Sequence, residues 1–543
     1  MTARGSSEKK QGGAHAGERN RLYGKVGLAG LIMMASVFLS RVAGLAREMI
    51  IAWRAGADFS VDAYQAAFVL PEILNHILAS GFLSVTFIPL FSGYLARGEE
   101  EEAWRVFSVI LTTFGALMLA LIAASELMAP LLIRLVAPGK TDPAFRAAAV
   151  EMTRIMLPGQ FFFFSGGLFM AVQFARERFF IPALAPLIYN CSIILGGLVL
   201  DGVAGISGFS WGVLSGAFAG NFLLQAWGAR RAGMRFVPCF DPRHPDLIMY
   251  IRLSLPLMLG LTMAFSTEFF LKFFGSYLPD GGIAALNYAL RIMFLLVGLF
   301  GQAAGAASFP FMARLAAENR LDEMNRLLNL AVRYLCVVMP ISVLFMVLRR
   351  EIVSLLFERG KFGPEAVALT SDAMLFLMAG AAAFAAQTVV IRGYFAVKDT
   401  LFPAVFGSLA VAASLPLYYL GRKLCGIQGV AAAVSLSAAV QVIFLFALWN
   451  RRTGNRNTGV GKTAGKLFLL SAVIGPALEI LRRFLQGIPA AYGISVLPWI
   501  RDFSVCALTA ALFCLLAAAG ARLLRIPEIT EIAGRLKQLR KSA

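Results

Sequence analysis

Long runs of apolar residues, separated by short polar or basic stretches, recur along the whole chain. A membrane-spanning helix needs about 20 mostly apolar residues, and no stretch shows the alternation over about ten residues that is typical of a membrane β-strand. The pattern therefore predicts an all-α integral membrane protein with about fourteen transmembrane helices. The predicted segments are 27–53, 61–92, 107–133, 150–173, 182–200, 205–228, 249–275, 283–309, 327–348, 369–391, 402–420, 427–449, 465–484 and 503–521.

The first half of this pattern returns in the second half at a constant offset of 221 residues, so that Gly139–Lys140 falls on Gly360–Lys361. The same shift places "FARERFFIPA" (174–183) on "FAVKDTLFPA" (395–404). Prolines, glycines and loop arginines kept in register indicate an internal duplication rather than chance similarity. Each copy holds six segments, an even number. The two copies therefore share one orientation and are related by an axis along the membrane normal.

The duplication and the loop charges together predict the domain organisation. Loops on the side of both termini carry most of the lysines and arginines, which favours a cytoplasmic position for both ends. The predicted parts are a basic cytoplasmic tail (1–26), an N-lobe with helices 1–6 (27–229), an inter-lobe linker (230–248), a C-lobe with helices 7–12 (249–450), helices 13–14 (451–521) and a second basic cytoplasmic tail (522–543).

The composition excludes several classes of protein. The chain is 59% hydrophobic and only 15% charged, with a net charge of +19. Its basic residues are scattered among loops, so no nucleic-acid surface is expected. The six cysteines are isolated and lie far from the three histidines, which predicts neither a metal site nor a disulfide framework. No P-loop or other enzyme signature occurs, so we expect a transporter without a cofactor.

Charged residues inside the predicted helices are the candidate functional groups, because a charge at bilayer depth is costly unless it faces water or a partner. Helix 1 carries Arg41, Arg47 and Glu48, and small Ser40 and Gly44 lie in the wedge between the two arginines. Such a wedge is predicted to line a wet cavity. Arginine forks match phosphate or pyrophosphate oxygens.

Further ionisable residues lie in helix 2 and in helices 7 and 8, which the duplication makes equivalent to helices 1 and 2. They are Asp62, Glu72 and His76 in helix 2, Glu268 and Lys272 in helix 7, and Arg291 in helix 8. This distribution predicts one cationic cavity between the lobes that receives an anionic headgroup. In the alternative interpretation the charges pair internally. Glu268 and Lys272, spaced i, i+4, favour that alternative.

Six motifs together resemble the MurJ/MviN family of lipid II flippases, within the MOP exporter superfamily. They are "LSRVAGLARE" (39–48), "VDAYQAAFVLPEIL" (61–74), "FIPLF" (87–91), "LVAPG" (135–139), "RFFIPALAPLIYN" (178–190) and "LFERGKF" (356–362). The resemblance covers about 27–450. It implies a V-shaped cavity between two lobes and transfer of the undecaprenyl-pyrophosphate-linked peptidoglycan precursor, lipid II, to the outer leaflet of the bacterial cytoplasmic (inner) membrane.

The resemblance also implies roles for individual residues. Arg41, Arg47, Asp62 and Arg291 match family positions expected to be required, with the arginines engaging the pyrophosphate. Helices 13 and 14 are expected to form a groove suited to the polyprenyl tail. The expected partners are the lipid substrate, membrane lipids and cell-wall synthesis proteins, and transport is expected to couple to the membrane potential or to an ion gradient.

The chain departs from the family pattern in helices 2 and 8. Asn75 and His76 stand where many relatives have a basic pair, Ser80 stands at a glutamate position, and Leu290 stands at an acidic position. Helices 11 and 12 lack the Asp or Asn residues of a sodium site found in some relatives. Another polyprenyl-linked oligosaccharide, such as an O-antigen or exopolysaccharide unit, is the alternative cargo. A drug exporter, a membrane scaffold and a polyprenyl-phosphate transferase are further alternatives.

Overall fold

The structure is a computed structural model, and it describes residues 32–33, 35–78, 86–455, 459–492, 497–529 and 531. Within these ranges, the side chains of 77–78, 255–265 and 488–492 are not described. The predicted N-terminal tail (1–26), Ser80 and most of the predicted C-terminal tail (522–543) lie outside the described residues.

Every regular element in the described ranges is a helix, which confirms the predicted all-α class. In chain order the helices are α1 (35–55), α2 (Phe59–Ala67), α3 (Val69–Leu78), α4 (Ile88–Ala96), α5 (Glu100–Val109), α6 (Gly115–Val136), α7 (Pro143–Met156), α8 (Gly159–Ala175), α9 (Phe180–Val199), α10 (Asp201–Ala204), α11 (Ser207–Gly216), α12 (Leu224–Arg231), α13 (Pro245–Gly275), α14 (Gly282–Val297), α15 (Ala303–Ala317), α16 (Leu321–Leu335), α17 (Val338–Val347), α18 (Arg349–Phe357), α19 (Pro364–Ala379), α20 (Ala381–Ala396), α21 (Leu401–Thr453), α22 (Val460–Tyr492) and α23 (Pro498–Leu523). Three π-helical segments, π1 (Ile110–Phe114), π2 (Ala217–Leu223) and π3 (Gly298–Gln302), join consecutive α-helices into longer rods.

Eight helices in the described residues are long and apolar enough to cross a membrane, and a ninth is obtained if α19 and α20, bent by 45°, form one span. The chain is therefore a multi-pass membrane protein, and fourteen spans remain a prediction. The acidic run at 99–102 lies at the start of the long rod Glu100–Val136. Predicted helices 11 and 12 are joined into α21 across a break at Gly426.

Unusual backbone angles recur at the predicted offset and confirm the duplication. Gly205 (φ 52°, ψ −132°) and Gly426 (φ 54°, ψ −126°), which are 221 residues apart, share a conformation that L-residues rarely adopt. Three further pairs with positive φ have the same spacing: Gly98 and Asn319, Glu177 and Lys398, and Gly233 and Gly454. Three pairs of helix N-termini are also 221 residues apart: Glu100 and Leu321, Pro143 and Pro364, and Phe180 and Leu401.

The chain forms two compact units that do not follow the order of the sequence. The first unit comprises Met1–Arg47, Leu78–Leu127 and Arg154–Ser254. In it α9 packs along α11, and α8 packs against π2. The second unit comprises Glu48–Ile77, Met128–Thr153 and Leu255–Ala543. Two segments from the N-terminal half thus fold together with the C-terminal half. The lobe boundaries at 230–248 remain a prediction.

Substitution of Gly426 tests whether the repeated backbone break contributes to the stability of the protein. Gly426→Ala is expected to lower stability by about 1–3 kcal/mol, because a β-carbon is strained at this φ and ψ. Apparent melting temperature in detergent is the measurement. Gly465→Ala in α22, where an added β-carbon meets no atom within 4 Å, is the control and should be neutral or stabilising. Equal melting temperatures for the two variants would contradict the assignment.

Candidate functional site

Four connections between helices meet inside the second unit, and we call them the connector seam. With the adjoining helix ends, they comprise residues 53–62 (α1 to α2), 139–140 (α6 to α7), 276–284 (α13 to α14) and 357–362 (α18 to α19). The first two come from the N-terminal half and the last two from the C-terminal half. The seam therefore closes the two halves of the duplication against each other at the C-terminal end of α1.

Backbone contacts in the seam are close and follow the duplication. A β-carbon on Gly139 would lie 2.6 Å from the carbonyl oxygen of Ser276, and one on Gly360 would lie 2.3 Å from that of Trp53. Gly139 and Gly360 are equivalent residues, and each meets the first connection of the other half. Lys361 also donates its backbone N–H to the Trp53 carbonyl, at 3.0 Å. Only glycine permits such an approach at these positions.

A tyrosine packs beneath these contacts. Tyr288 of α14 is fully buried, and its hydroxyl donates a 3.0 Å hydrogen bond to the carbonyl of Gly56. Its ring contacts Phe357 and Phe362, with centroids 5.0 and 5.5 Å away. The conformation of the first connection is thereby fixed by a hydrogen bond that is shielded from water.

The ionic centre of the seam is Asp62 of α2, which has no solvent exposure. Its carboxylate accepts hydrogen bonds from the backbone N–H groups of Gly281 (3.0 Å) and Ala284 (2.8 Å). These groups belong to the N-terminus of α14, where helices leave N–H groups unpaired and favour negative charge. Lys140 Nζ lies 3.2 Å from Asp62 and 2.6 Å from Asp280. Asp62 thus ties α2 to α14 and to the 139–140 connection.

These contacts differ from the substrate contact expected for Asp62. In this structure the carboxylate is fully buried among three protein partners in the seam, and its contact with substrate stays a prediction. Lys140 was not among the predicted site residues. The repeated Gly-Lys pair at 139–140 and 360–361 was a signal for this residue. We interpreted that pair only as a mark of duplication.

The helix 1 arginines lie in the first unit. Arg47 is partly buried, and its Nη1 donates a 3.3 Å hydrogen bond to the side-chain oxygen of Asn190 on α9. Gly44 lies beside the same oxygen, since a β-carbon there would be 3.9 Å from it. Arg41 is exposed and forms no ion pair with any described residue. The predicted wedge therefore has one arginine held by α9 and one arginine accessible. Glu48, the next residue after Arg47, is buried.

Helices α13 and α14 carry a different set of ion pairs from the predicted one. Lys272 has a 2% exposed side chain and pairs with Glu72 of α3 at 3.2 Å. Glu268 instead lies 3.8 Å from Arg291 of α14, where both side chains are partly exposed. The expected Glu268–Lys272 pair is therefore wrong, because each partner meets an opposite charge on another helix. The Nδ1–H group of His76 donates a local hydrogen bond to the Glu72 carbonyl, at 2.8 Å.

An apolar cavity of about 520 Å³ lies elsewhere in the second unit, beside α22. Its wall is formed mainly by small and apolar side chains of α17, α20, α21 and α22, including Val343, Ala383, Ile443 and Phe468. Ser342 and Ser471 are its polar lining residues, and their hydroxyls donate to helix carbonyls. The cavity therefore suits a hydrocarbon chain rather than a charged group.

Comparison with known proteins gives a consistent set of matches. A family model described as "Lipid II flippase MurJ" matches residues 51–498, a range that includes Asp62, Lys140 and Arg291. A probable lipid II flippase MurJ of Rhizobium meliloti (strain 1021) is 28% identical over 81% of this chain and 84% of its own length.

Two solved structures share the fold. The first, a lipid II flippase MurJ in an inward closed conformation, has a TM-score of 0.74 at 22% identity and covers 91% of this chain and 99% of its own. The second is an inward-facing multidrug resistance MATE family transporter of the MOP superfamily. It has a TM-score of 0.65 at 15% identity and covers 78% of this chain and 98% of its own.

Substitution of the buried pair tests the seam. Lys140→Met is expected to cost about 3 kcal/mol, because it leaves the buried Asp62 carboxylate without its charged partner. Asp62→Asn should cost less, because Lys140 keeps its ion pair with Asp280. The double variant should lose less than the sum of the single variants, with a coupling of about 1–3 kcal/mol. Apparent melting temperatures of the wild type, the two single variants and the double variant form a double-mutant cycle that measures this coupling.

The control is the exposed pair between Arg97 and Glu99. Glu99→Gln should change stability by less than about 1 kcal/mol, as expected of exposed ion pairs. Strictly additive effects of Asp62→Asn and Lys140→Met would show that the two residues do not act together.

Proposed function

The chain belongs to the lipid II flippase MurJ family, and we propose that it moves lipid II from the inner to the outer leaflet of the bacterial cytoplasmic membrane. The observation that carries the proposal is the family match over 51–498, which spans both halves of the duplication and the connector seam. The relative reported above bears lipid II in its name. This favours lipid II over another polyprenyl-linked oligosaccharide as cargo.

The pyrophosphate of the cargo is received by arginines in this proposal. Arg41 is exposed, and Arg47 and Arg291 keep part of their side chains accessible within membrane helices. The guanidinium of an arginine carries five N–H groups in a planar fork. In this proposal, pyrophosphate oxygens accept hydrogen bonds from these groups in the fork geometry that arginine favours.

In the proposed mechanism of alternating access, the connector seam is the contact that closes one side of the transport path. With both termini in the cytoplasm, as loop charge predicts, the seam lies on the outer side and closes the path in that direction. Release of cargo would then require Asp62 to separate from the N-terminus of α14. Rocking of two packed repeats about a central site is the common transport motion of such folds.

The polyprenyl tail remains in an apolar environment during the proposed transfer. The cavity beside α22 has a wall of apolar side chains, and burial of a branched hydrocarbon against this wall would be favourable. Membrane potential or an ion gradient supplies the driving force in this proposal, since moving one charge across the membrane is worth about 2.3 kcal/mol per 100 mV. Cell-wall synthesis proteins are the proposed partners, since they would supply and use the cargo.

The proposal is tested by measuring access of lipid II to the outer leaflet of proteoliposomes. Arg47→Gln and Arg291→Gln should each slow translocation by about tenfold or more, because each removes charge-assisted hydrogen bonds to the pyrophosphate. Arg314→Gln is the matched control, since Arg314 is 78% exposed and, among the described residues, pairs only with its helix neighbour Glu318.

Translocation at the wild-type rate in both arginine variants would remove these residues from the mechanism. Absence of translocation by the wild-type protein, together with translocation of a different polyprenyl-linked saccharide, would identify the alternative cargo.

A further inference from the structure

A second cationic position lies in the same unit as Arg291 and was not among the predicted site residues. Arg392 of α20 is partly exposed, and its guanidinium donates to two oxygen atoms of Gln302, the backbone carbonyl at 3.3 Å and the side-chain oxygen at 2.9 Å. No carboxylate in the described part of the chain pairs with it. The charge of Arg392 is therefore held in place but not neutralised.

The local structure is built around this side chain. Gln302 ends π3, and π-helical turns often occur at functional sites because they displace the regular hydrogen-bond ladder. One turn later, Gly305 leaves the space that the guanidinium occupies, since a β-carbon on Gly305 would lie 1.8 Å from Arg392 Nη1. A π-turn, a glycine and two acceptor oxygens thus orient one arginine.

The bonds to Gln302 occupy only part of the guanidinium. Arginine has five N–H donors, and the bonds to Gln302 use Nη1 and Nη2 with neutral acceptors. A positive charge that is half removed from water and meets only neutral oxygens still favours an anion. The arrangement fits the fork geometry by which arginine binds carboxylate.

The position of Arg392 indicates which anion it would bind. Gln302 follows Arg291 by 11 residues on the continuous rod Gly282–Ala317, a rise of about 16 Å. This separation along the rod exceeds the length of a pyrophosphate group. The two arginines are therefore suited to two different anionic groups of one ligand.

We propose that Arg392, oriented by Gln302, binds a carboxylate of the peptide carried by the lipid-linked precursor, while Arg291 binds the pyrophosphate. The proposal rests on lipid II as the cargo. It makes Arg392 a specificity-determining residue that distinguishes precursors with a peptide from polyprenyl-pyrophosphate saccharides without one.

Binding to the purified full-length protein in detergent tests the assignment with two probes, lipid II and the same polyprenyl-pyrophosphate disaccharide without its peptide. Arg392→Gln should weaken lipid II binding about tenfold, as expected from loss of a charge-assisted hydrogen bond, and should change binding of the peptide-free lipid by less than twofold. Arg291→Gln should weaken binding of both lipids. Arg314→Gln is the control for a lost surface charge and should change neither.

A ligand-side experiment covers the case in which Arg392→Gln does not fold. Lipid II with amidated peptide carboxylates should bind the wild-type protein about tenfold more weakly than lipid II and about as well as the peptide-free lipid. Arg392→Lys, which keeps the charge but not the fork, should retain an intermediate preference for lipid II.

Equal weakening of both lipids by Arg392→Gln would assign Arg392 to the phosphate, and unchanged binding of both would assign it to helix packing. Either result overturns the proposal. Failure of the wild-type protein to bind lipid II at all would instead refute the proposed function, so the two failures are distinguishable.

Discussion

The interaction between the Asp62 carboxylate and the N-terminus of α14 is the contact on which closure of the connector seam depends. It joins a helix of the N-terminal half to a helix of the C-terminal half, and Lys140 adds a third connection through a 3.2 Å ion pair. A buried charge is costly unless its partners are arranged well. Here two backbone N–H groups and one ammonium satisfy it, so the contact stabilises the closed arrangement of the connections.

The glycines around this centre explain why the seam can close tightly. Gly139 and Gly360 occupy equivalent places in the two halves and let each connection approach the backbone of the other half. The duplication thus gives the seam an approximate two-fold symmetry. The ionic centre breaks that symmetry, because the residue equivalent to Asp62 is Ile283, inside the first turn of α14. One half supplies the acid, and the other half supplies the helix terminus.

Several features were predictable from the sequence because they depend on local pattern. Apolar length predicts membrane helices, and the register of Gly139–Lys140 with Gly360–Lys361 predicts the duplication that Gly205 and Gly426 display in their backbone angles. Partners of charged residues were less predictable, because they depend on helix packing. The i, i+4 spacing of Glu268 and Lys272 permitted a pair, but Glu72 and Arg291 on other helices are the partners that form. Arg392 gave no sequence signal, because its orientation depends on π3 and Gly305.

The central claim is that the connector seam must open once in every transport cycle. A reversible thiol cross-linker between Ala57→Cys and Asp280→Cys, introduced in a variant without the six native cysteines, would hold the seam closed. Ala57 and Asp280 flank the contact at Gly281, whose β-carbon would lie 2.2 Å from the Ala57 carbonyl. Translocation of lipid II in proteoliposomes is the measurement. The account predicts that cross-linking abolishes translocation and that reduction restores it, whereas translocation at an unchanged rate with the seam cross-linked would contradict it.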